Sequence, residues 1–263
     1  MLIKANGIQT NYILSGKKDG PVVMMSHSLG SSGVMWEPQM AALEDRFRVL
    51  RYDTRGHGGT EVTPGSYTLE LLAKDAVGMM DALGIKDVHW VGLSMGGMIG
   101  QCIALNEGGR LRSLSLCDTS AAISDDAQLL WQERFDTVRA KGVQALLEQT
   151  LERWFTPSFL GQNPPILEVI REEFIATSPE GYTACMEAIR KLNYLDRLHE
   201  IRIPTLILVG EEDPATPVEA AKAMHDRIPK SKLVILPSAR HLSNVEQPEA
   251  FNSALVRLLK GDF

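Results

Sequence analysis

The sequence predicts an α/β fold, a mostly parallel sheet wrapped by helices, and three observations predict it. Short apolar runs alternate with amphipathic segments along the chain, the pattern of strands covered by crossover helices. One serine, Ser94, stands between glycines in Gly92-Leu93-Ser94-Met95-Gly96, after a strand-like run and before a helix-like one. Two later apolar runs end in Glu211-Glu212-Asp213 and in a loop carrying His241. Open α/β sheets gather ligand-binding and reactive groups at that carboxyl edge.

Taken in order, residues 8–15, Val22–Ser26 and Arg48–Tyr52 read as strands, the last ending at Asp53. Thr68 precedes a helix in which Leu69, Leu72, Ala73, Ala76, Met80 and Leu83 share one stripe and Gly84 is the stop. The run Val88-His89-Trp90-Val91 is a strand leading to Ser94, and the glycines two residues to either side leave room for a sharp turn. Ser113-Leu114-Ser115-Leu116-Cys117 is the next strand, ended by Asp118. From about residue 123 to residue 198 the alternation gives way to a helical pattern interrupted by Pro157, Pro164, Pro165 and Pro179. This insertion contains Trp131, Trp154, Phe155, Phe159, Phe174 and Tyr182. Most of these should serve helix packing, with one or two lining a pocket over Ser94. Two strands follow, Leu206-Ile207-Leu208-Val209-Gly210 and Leu233-Val234-Ile235-Leu236. Between them Thr216 is the expected cap of a helix with Pro217 first and Glu219 third. Pro248 opens a C-terminal helix whose Phe251, Leu255, Leu258 and Leu259 face inward. The expected organisation is a core of 1–122 and 199–263 with a helical cap at 123–198.

A serine hydroxyl is a weak nucleophile until a base takes its proton and a carboxylate orients that base. Ser94, Asp213 and His241 supply these parts in the order serine, acid, histidine. Among the other histidines, His89 falls in a strand run, His199 and His225 in charged helical surroundings, and His57 in a glycine-rich loop that it is expected to hydrogen-bond itself. Glu211, Glu212 and above all Asp118 compete with Asp213 for the acid. Charge developing on an attacked carbonyl oxygen needs preorganised N–H donors, each contributing ~2.7–4 kcal/mol. The amides of Met95, after the serine, and of Leu29, in His27-Ser28-Leu29-Gly30 after an early strand, are the expected pair.

Composition sets the remaining bounds. At 263 residues and 44% hydrophobic, the chain is long enough to bury a large core. A formal charge of −6 argues against nucleic acid or an anionic membrane as partner, since both demand clustered Lys and Arg. Cys102, Cys117 and Cys185 are widely spaced, which suggests buried free thiols and neither a disulfide framework nor a metal site. No leader pattern opens the chain and no run reaches the ~18 apolar residues of a membrane span. The expectation is a cytoplasmic protein without a cofactor.

Several pieces together resemble a known family: Ser28-Leu29-Gly30, Met35-Trp36, the run from Phe47 to Gly58, Gly92-Leu93-Ser94-Met95-Gly96-Gly97, Arg153-Trp154-Phe155 and Ser243-Asn244. Over nearly its whole length the chain resembles the α/β-hydrolase superfamily, and more narrowly the bacterial 3-oxoadipate enol-lactonases. The elbow and the stretch from Asp53 to Gly58 are widespread in the superfamily, whereas Arg153-Trp154-Phe155 and the run from Phe47 are more discriminating. The resemblance implies an α/β-hydrolase fold with a mostly parallel eight-stranded sheet flanked by helices and a helical cap inserted before the last two strands. It also implies hydrolysis of a lactone that carries its own carboxylate. Ser28, Arg134, Arg153 and Trp154 are the candidate substrate contacts, the two arginines as partners for that carboxylate. The chain departs from the family pattern at His27 and Asp118, where Asn is usual, and both positions are expected to border the pocket. A general carboxylesterase or a carbon–carbon bond hydrolase would use the same three residues. A ligand receptor of the same fold would bind without turnover, and a haloalkane dehalogenase would carry aspartate at position 94.

Overall fold

Strand boundaries follow the apolar runs closely. The computed structural model describes residues 1–262, so Phe263, at the end of the segment 199–263, lies outside the described residues. The strands are β1 (Leu2–Ala5), β2 (Ile8–Gly16), β3 (Val22–Ser26), β4 (Arg48–Tyr52), β5 (Val88–Leu93), β6 (Leu111–Cys117), β7 (Thr205–Gly210) and β8 (Ser231–Leu236). They form one eight-stranded sheet in the order β1-β2-β4-β3-β5-β6-β7-β8. Pairing is antiparallel from β1 through β2 to β4 and parallel from β4 to β8.

The sequence reading begins the sheet at residue 8 and has no strand before it. β1 is present because Asn6 and Gly7 both take left-handed conformations, φ 44° and 84°, and close a two-residue hairpin onto β2. An Asn-Gly pair suits that turn because both central residues need positive φ, so the signal was in the sequence.

The parallel register aligns the functional loops. Ser26 pairs with Tyr52 on one side and Gly92 on the other, Leu93 with Cys117, and Gly210 with Leu236. The segments that follow β3, β4, β5, β6, β7 and β8 therefore leave the sheet at one edge. Helices Leu69–Ala82, Met95–Glu107, Val218–His225 and Pro248–Leu259 flank the sheet. Thr68 accepts the Leu71 amide and so caps the first of them. Thr216 does not cap the helix that begins beside it; Pro217 holds the cap position without a side-chain bond, and the Thr216 hydroxyl turns to Asp213 instead.

Between β6 and β7 lie five α-helices, Asp125–Lys141, Leu147–Trp154, Pro157–Gln162, Pro165–Ala176 and Pro179–Arg190. Pro157, Pro165 and Pro179 each open a helix, where a missing N–H costs nothing. Phe155, Phe174 and Tyr182 are buried here. The sheet core includes Trp36, Tyr52, Trp90 and Phe251, all almost wholly shielded. Burying each such side chain contributes roughly 1.5–3 kcal/mol. All three cysteines are buried free thiols. Among the described residues no helix is long and apolar enough to cross a membrane, and no group of three or more His, Cys, Asp or Glu is placed to hold a metal ion.

Candidate active site

Ser94 occupies the junction between β5 and helix Met95–Glu107 with φ 53° and ψ −115°. A side-chain-bearing residue in such a region stores on the order of 1–3 kcal/mol, so the surroundings must hold it there. They do: the Ser94 amide donates to the Cys117 carbonyl at 2.9 Å, and the Thr119 hydroxyl donates to the Ser94 carbonyl at 2.7 Å. The flanking glycines serve close approach. A Cβ on Gly92 would run into the Gly96 carbonyl, and one on Gly96 into the carbonyl of Ser26.

Ser94 and His241 line a single cavity of about 470 Å³. Asp213 stands behind the imidazole, its Oδ2 2.8 Å from His241 Nδ1. The same carboxylate accepts the amides of Ala215 at 2.7 Å and Thr216 at 3.1 Å and the Thr216 hydroxyl at 2.6 Å. Burial alone would raise the Asp213 carboxyl, but His241 beside it and the Thr216 donors hold it below the ordinary carboxylate value. An ionised Asp213 accepts only, so Nδ1 carries the ring proton and Nε2 is left as the acceptor nitrogen. Glu211 and Glu212 are exposed.

Asp118 does not reach His241. Its carboxylate accepts the Gly210 amide at 2.8 Å and the Ser243 hydroxyl, and burial together with the nearby Asp213 charge pushes it well above the usual carboxylate range. Neither Asp118 nor His27 lines the cavity, contrary to expectation. Both are wholly buried beneath the loops they belong to. His57 also departs from expectation, because its Nε2 accepts the Gly30 amide from another loop at 3.0 Å. His89 is half-buried against the Ser113 hydroxyl and lowered to about 4, mainly by burial. His199 is exposed, whereas His225 is half-buried against Ser231.

The remaining anticipated residues converge. Ser28, Leu29, Arg134, Arg153 and Trp154 all line the cavity with Ser94 and His241. Met95 is the first residue of its helix, so its amide has no intrahelical acceptor. Trp131 and Tyr182 join Trp154 on the wall, while Phe155 stacks on Phe159 at 5.0 Å and Phe174 packs edge-on against Trp154 at 5.6 Å. Arg134 is held, donating to Thr150 and to the Tyr182 hydroxyl, each at 3.0 Å. Arg153 makes no ion pair among the described residues. Burial and the neighbouring Arg134 lower its pKa, with the Asp213 charge acting the other way, so the site holds a guanidinium that no ion pair among the described residues neutralises.

Two contributors escape a reading of motifs. Thr216 steadies Asp213, and Glu246 accepts the Arg240 amide at 2.7 Å and the Thr156 amide at 2.7 Å. Glu246 thereby ties the loop of His241 to the 123–198 insertion, as does the Leu242 amide donating to the Trp154 carbonyl at 3.1 Å. Thr216 lies only three residues from Asp213, and its signal was read as a helix cap; the contact of Glu246 with Thr156 spans 90 residues, which no local pattern encodes.

The chain matches known proteins over nearly its whole length. The model of the alpha/beta hydrolase fold family matches residues 21–248. The chain is 36% identical to 3-oxoadipate enol-lactonase 2 of Acinetobacter baylyi, over 98% of this chain and 96% of that protein. It superposes on the crystal structure of the enol-lactonase from Burkholderia xenovorans LB400 with a TM-score of 0.95 and 36% identity, covering 99% of this chain and all of the other. A thermophilic esterase from Thermogutta terrifontis, solved with malate bound, gives a TM-score of 0.93 at 32% identity, covering 99% and 98%.

Proposed function

This chain belongs to the alpha/beta hydrolase family, and on that premise we propose that it hydrolyses a carboxylic ester or lactone through an acyl-enzyme on Ser94. The substrate we favour is a small enol-lactone of the 3-oxoadipate type that carries a carboxylate of its own. The observation that carries this choice is Arg153, a half-buried guanidinium on the cavity wall with Arg134 as neighbour and no acidic partner among the described residues. Burying an unpaired charge is unfavourable unless a counter-charge arrives, and a substrate carboxylate is such a charge. The sequence relationship to enol-lactonases supports the same reading.

In this mechanism His241 Nε2 takes the Ser94 proton as the oxygen attacks the lactone carbonyl, and Asp213 stabilises the imidazolium. The amides of Met95 and Leu29 receive the oxyanion. Collapse opens the ring to an acyl-enzyme, and the departing enolate can become a ketone, so it needs less protonation than an alkoxide. Water activated by His241 then releases the acid and restores Ser94. The insertion 123–198 acts as a cap that supplies Arg134, Arg153 and Trp154. A small dissolved acid needs no membrane or cofactor for this chemistry, and a cytoplasmic setting suits it. A second reading, a carboxylesterase for neutral short-chain esters, keeps every catalytic role; the aromatic wall of Trp131 and Trp154 and the likeness to an esterase favour it.

Arg153→Ala separates the two. Loss of a hydrogen bond to a charged group costs about 1.5–3 kcal/mol, so KM for the carboxylated lactone should rise ~10–100-fold while kcat/KM for p-nitrophenyl acetate stays within about twofold. Equal effects on both substrates would remove the carboxylate site from the account.

A further inference from the structure

Two buried histidines from different loops hold the segment after β3, and they do so reciprocally. Because Ser26 pairs with Tyr52 in register, the segments beginning at His27 and Asp53 leave the sheet side by side. His27 Nε2 accepts the Thr54 amide at 2.9 Å, and His57 Nε2 accepts the Gly30 amide at 3.0 Å. The two rings lie 5.3 Å apart and are almost wholly shielded from solvent. A backbone N–H can only donate, so each Nε2 bears the lone pair and each ring proton sits on Nδ1. His27 Nδ1–H then donates to the Ser28 carbonyl at 2.7 Å, and His57 Nδ1–H faces the Arg55 carbonyl at 3.4 Å.

Peptide planarity turns these bonds into a constraint on Leu29. The Ser28 carbonyl and the Leu29 amide belong to one planar trans unit and point in opposite directions, so fixing the first directs the second. The Leu29 carbonyl and the Gly30 amide form the next unit, and His57 holds that one. Each peptide plane flanking Leu29 is thus anchored by one imidazole. A donor on the carbonyl also polarises the unit and strengthens its N–H as a donor.

We propose that His27, with His57 as its counterpart, is a positioning residue that aims and polarises the Leu29 amide toward the oxyanion. The assignment rests on the reading of Ser94 as nucleophile and Leu29 as oxyanion donor. Neither histidine lines the cavity, so both act through the backbone. Burial lowers His27 and, with His27 beside it, takes His57 to about 3, which keeps both rings neutral and the pattern of donors intact at neutral pH.

Isosteric replacement tests this. In His27→Asn the side-chain amide nitrogen stands where Nδ1 stands, retaining the donor to Ser28 and abandoning Thr54; His27→Leu loses both. Each variant is assayed with p-nitrophenyl acetate and with phenylboronic acid, whose tetrahedral adduct on a nucleophilic serine mimics the oxyanion. Removing an oxyanion donor costs ~10²–10³ in kcat, so misdirecting one in His27→Leu should lower kcat about tenfold or more and weaken phenylboronic acid by a similar factor. KM should stay within about twofold, and His27→Asn should recover most of both losses. Equal activity in the two variants, or a fall in kcat without a matching loss of boronate affinity, would overturn the proposal. If His27→Leu does not fold, the ¹⁵N spectrum of the wild-type rings decides: both should be Nδ1–H tautomers at pH 7, and an Nε2–H tautomer of His27 rejects the brace. Ser94→Ala runs alongside. If it keeps wild-type turnover and boronate affinity, the functional reading itself falls, an outcome distinct from failure of the His27 pair.

Discussion

At single residues, the proposed chemistry requires one carboxylate to serve His241. Asp213 bonds the imidazole directly, whereas Asp118 bonds the Gly210 amide and the Ser243 hydroxyl. Replacing Asp213 by Asn leaves the shape but removes an acceptor for Nδ1–H, a change that lowers kcat about 10⁴-fold where it has been measured in a serine triad. Asp118→Asn should leave kcat/KM within about tenfold, because burial already favours the neutral acid there and an amide can replace both of its hydrogen bonds. Kinetics of the two variants check this, and the reverse ranking would transfer the acid role to Asp118. The meeting of Ser94, Asp213 and His241 at one edge of the sheet was legible in the sequence because each closely follows an apolar run and few residue types suit the roles proposed for them. The placements of His27 and His57 were not. Their partners, Thr54 and Gly30, lie 27 residues away along the chain and become neighbours only through the register of β3 with β4.

Between elements, the insertion is seated on the core by backbone contact as well as by side chains. Gly181, in helix Pro179–Arg190, lies so near Gly56 that a Cβ added to it would meet the Gly56 carbonyl and, at 2.6 Å, its Cα. Gly56 has φ +80° and cannot readily move aside without strain. Alanine within a helix ordinarily stabilises by ~1 kcal/mol over glycine, yet here overpacking of about 1–3 kcal/mol opposes it. Gly181→Ala is therefore expected to lower Tm by a few degrees, at roughly 2–4 °C per kcal/mol for a chain of this size. An unchanged or raised Tm in a thermal melt would mean that the helix can shift off the loop. The sequence gives no warning of this contact, since a lone glycine in a helical pattern looks only like a weak helix former. The helix starts at Pro157, Pro165 and Pro179 were easier to read, because proline fixes φ before any tertiary contact forms.

For the whole molecule, alternation of apolar runs and helical stripes was enough to anticipate the parallel sheet, the insertion between β6 and β7 and the single edge from which the loops leave. The antiparallel β1 was missed because a four-residue strand, half of it exposed, carries almost no periodic signal apart from its Asn-Gly turn. Substrate choice is the least legible feature. In the proposed reading it depends on Arg134 and Arg153, separated in sequence and borne on different helices, both of which line the cavity with Ser94; Arg153 makes no ion pair among the described residues. In the proposed function this assembly is a serine hydrolase for a carboxylated lactone. The most direct measurement compares kcat/KM for 3-oxoadipate enol-lactone with that for p-nitrophenyl acetate and butyrate, with Ser94→Ala as the blank in every case. The lactone should win by several orders of magnitude, and Ser94→Ala should abolish turnover of all three; preference for the short esters, or activity that survives in Ser94→Ala, would contradict the account.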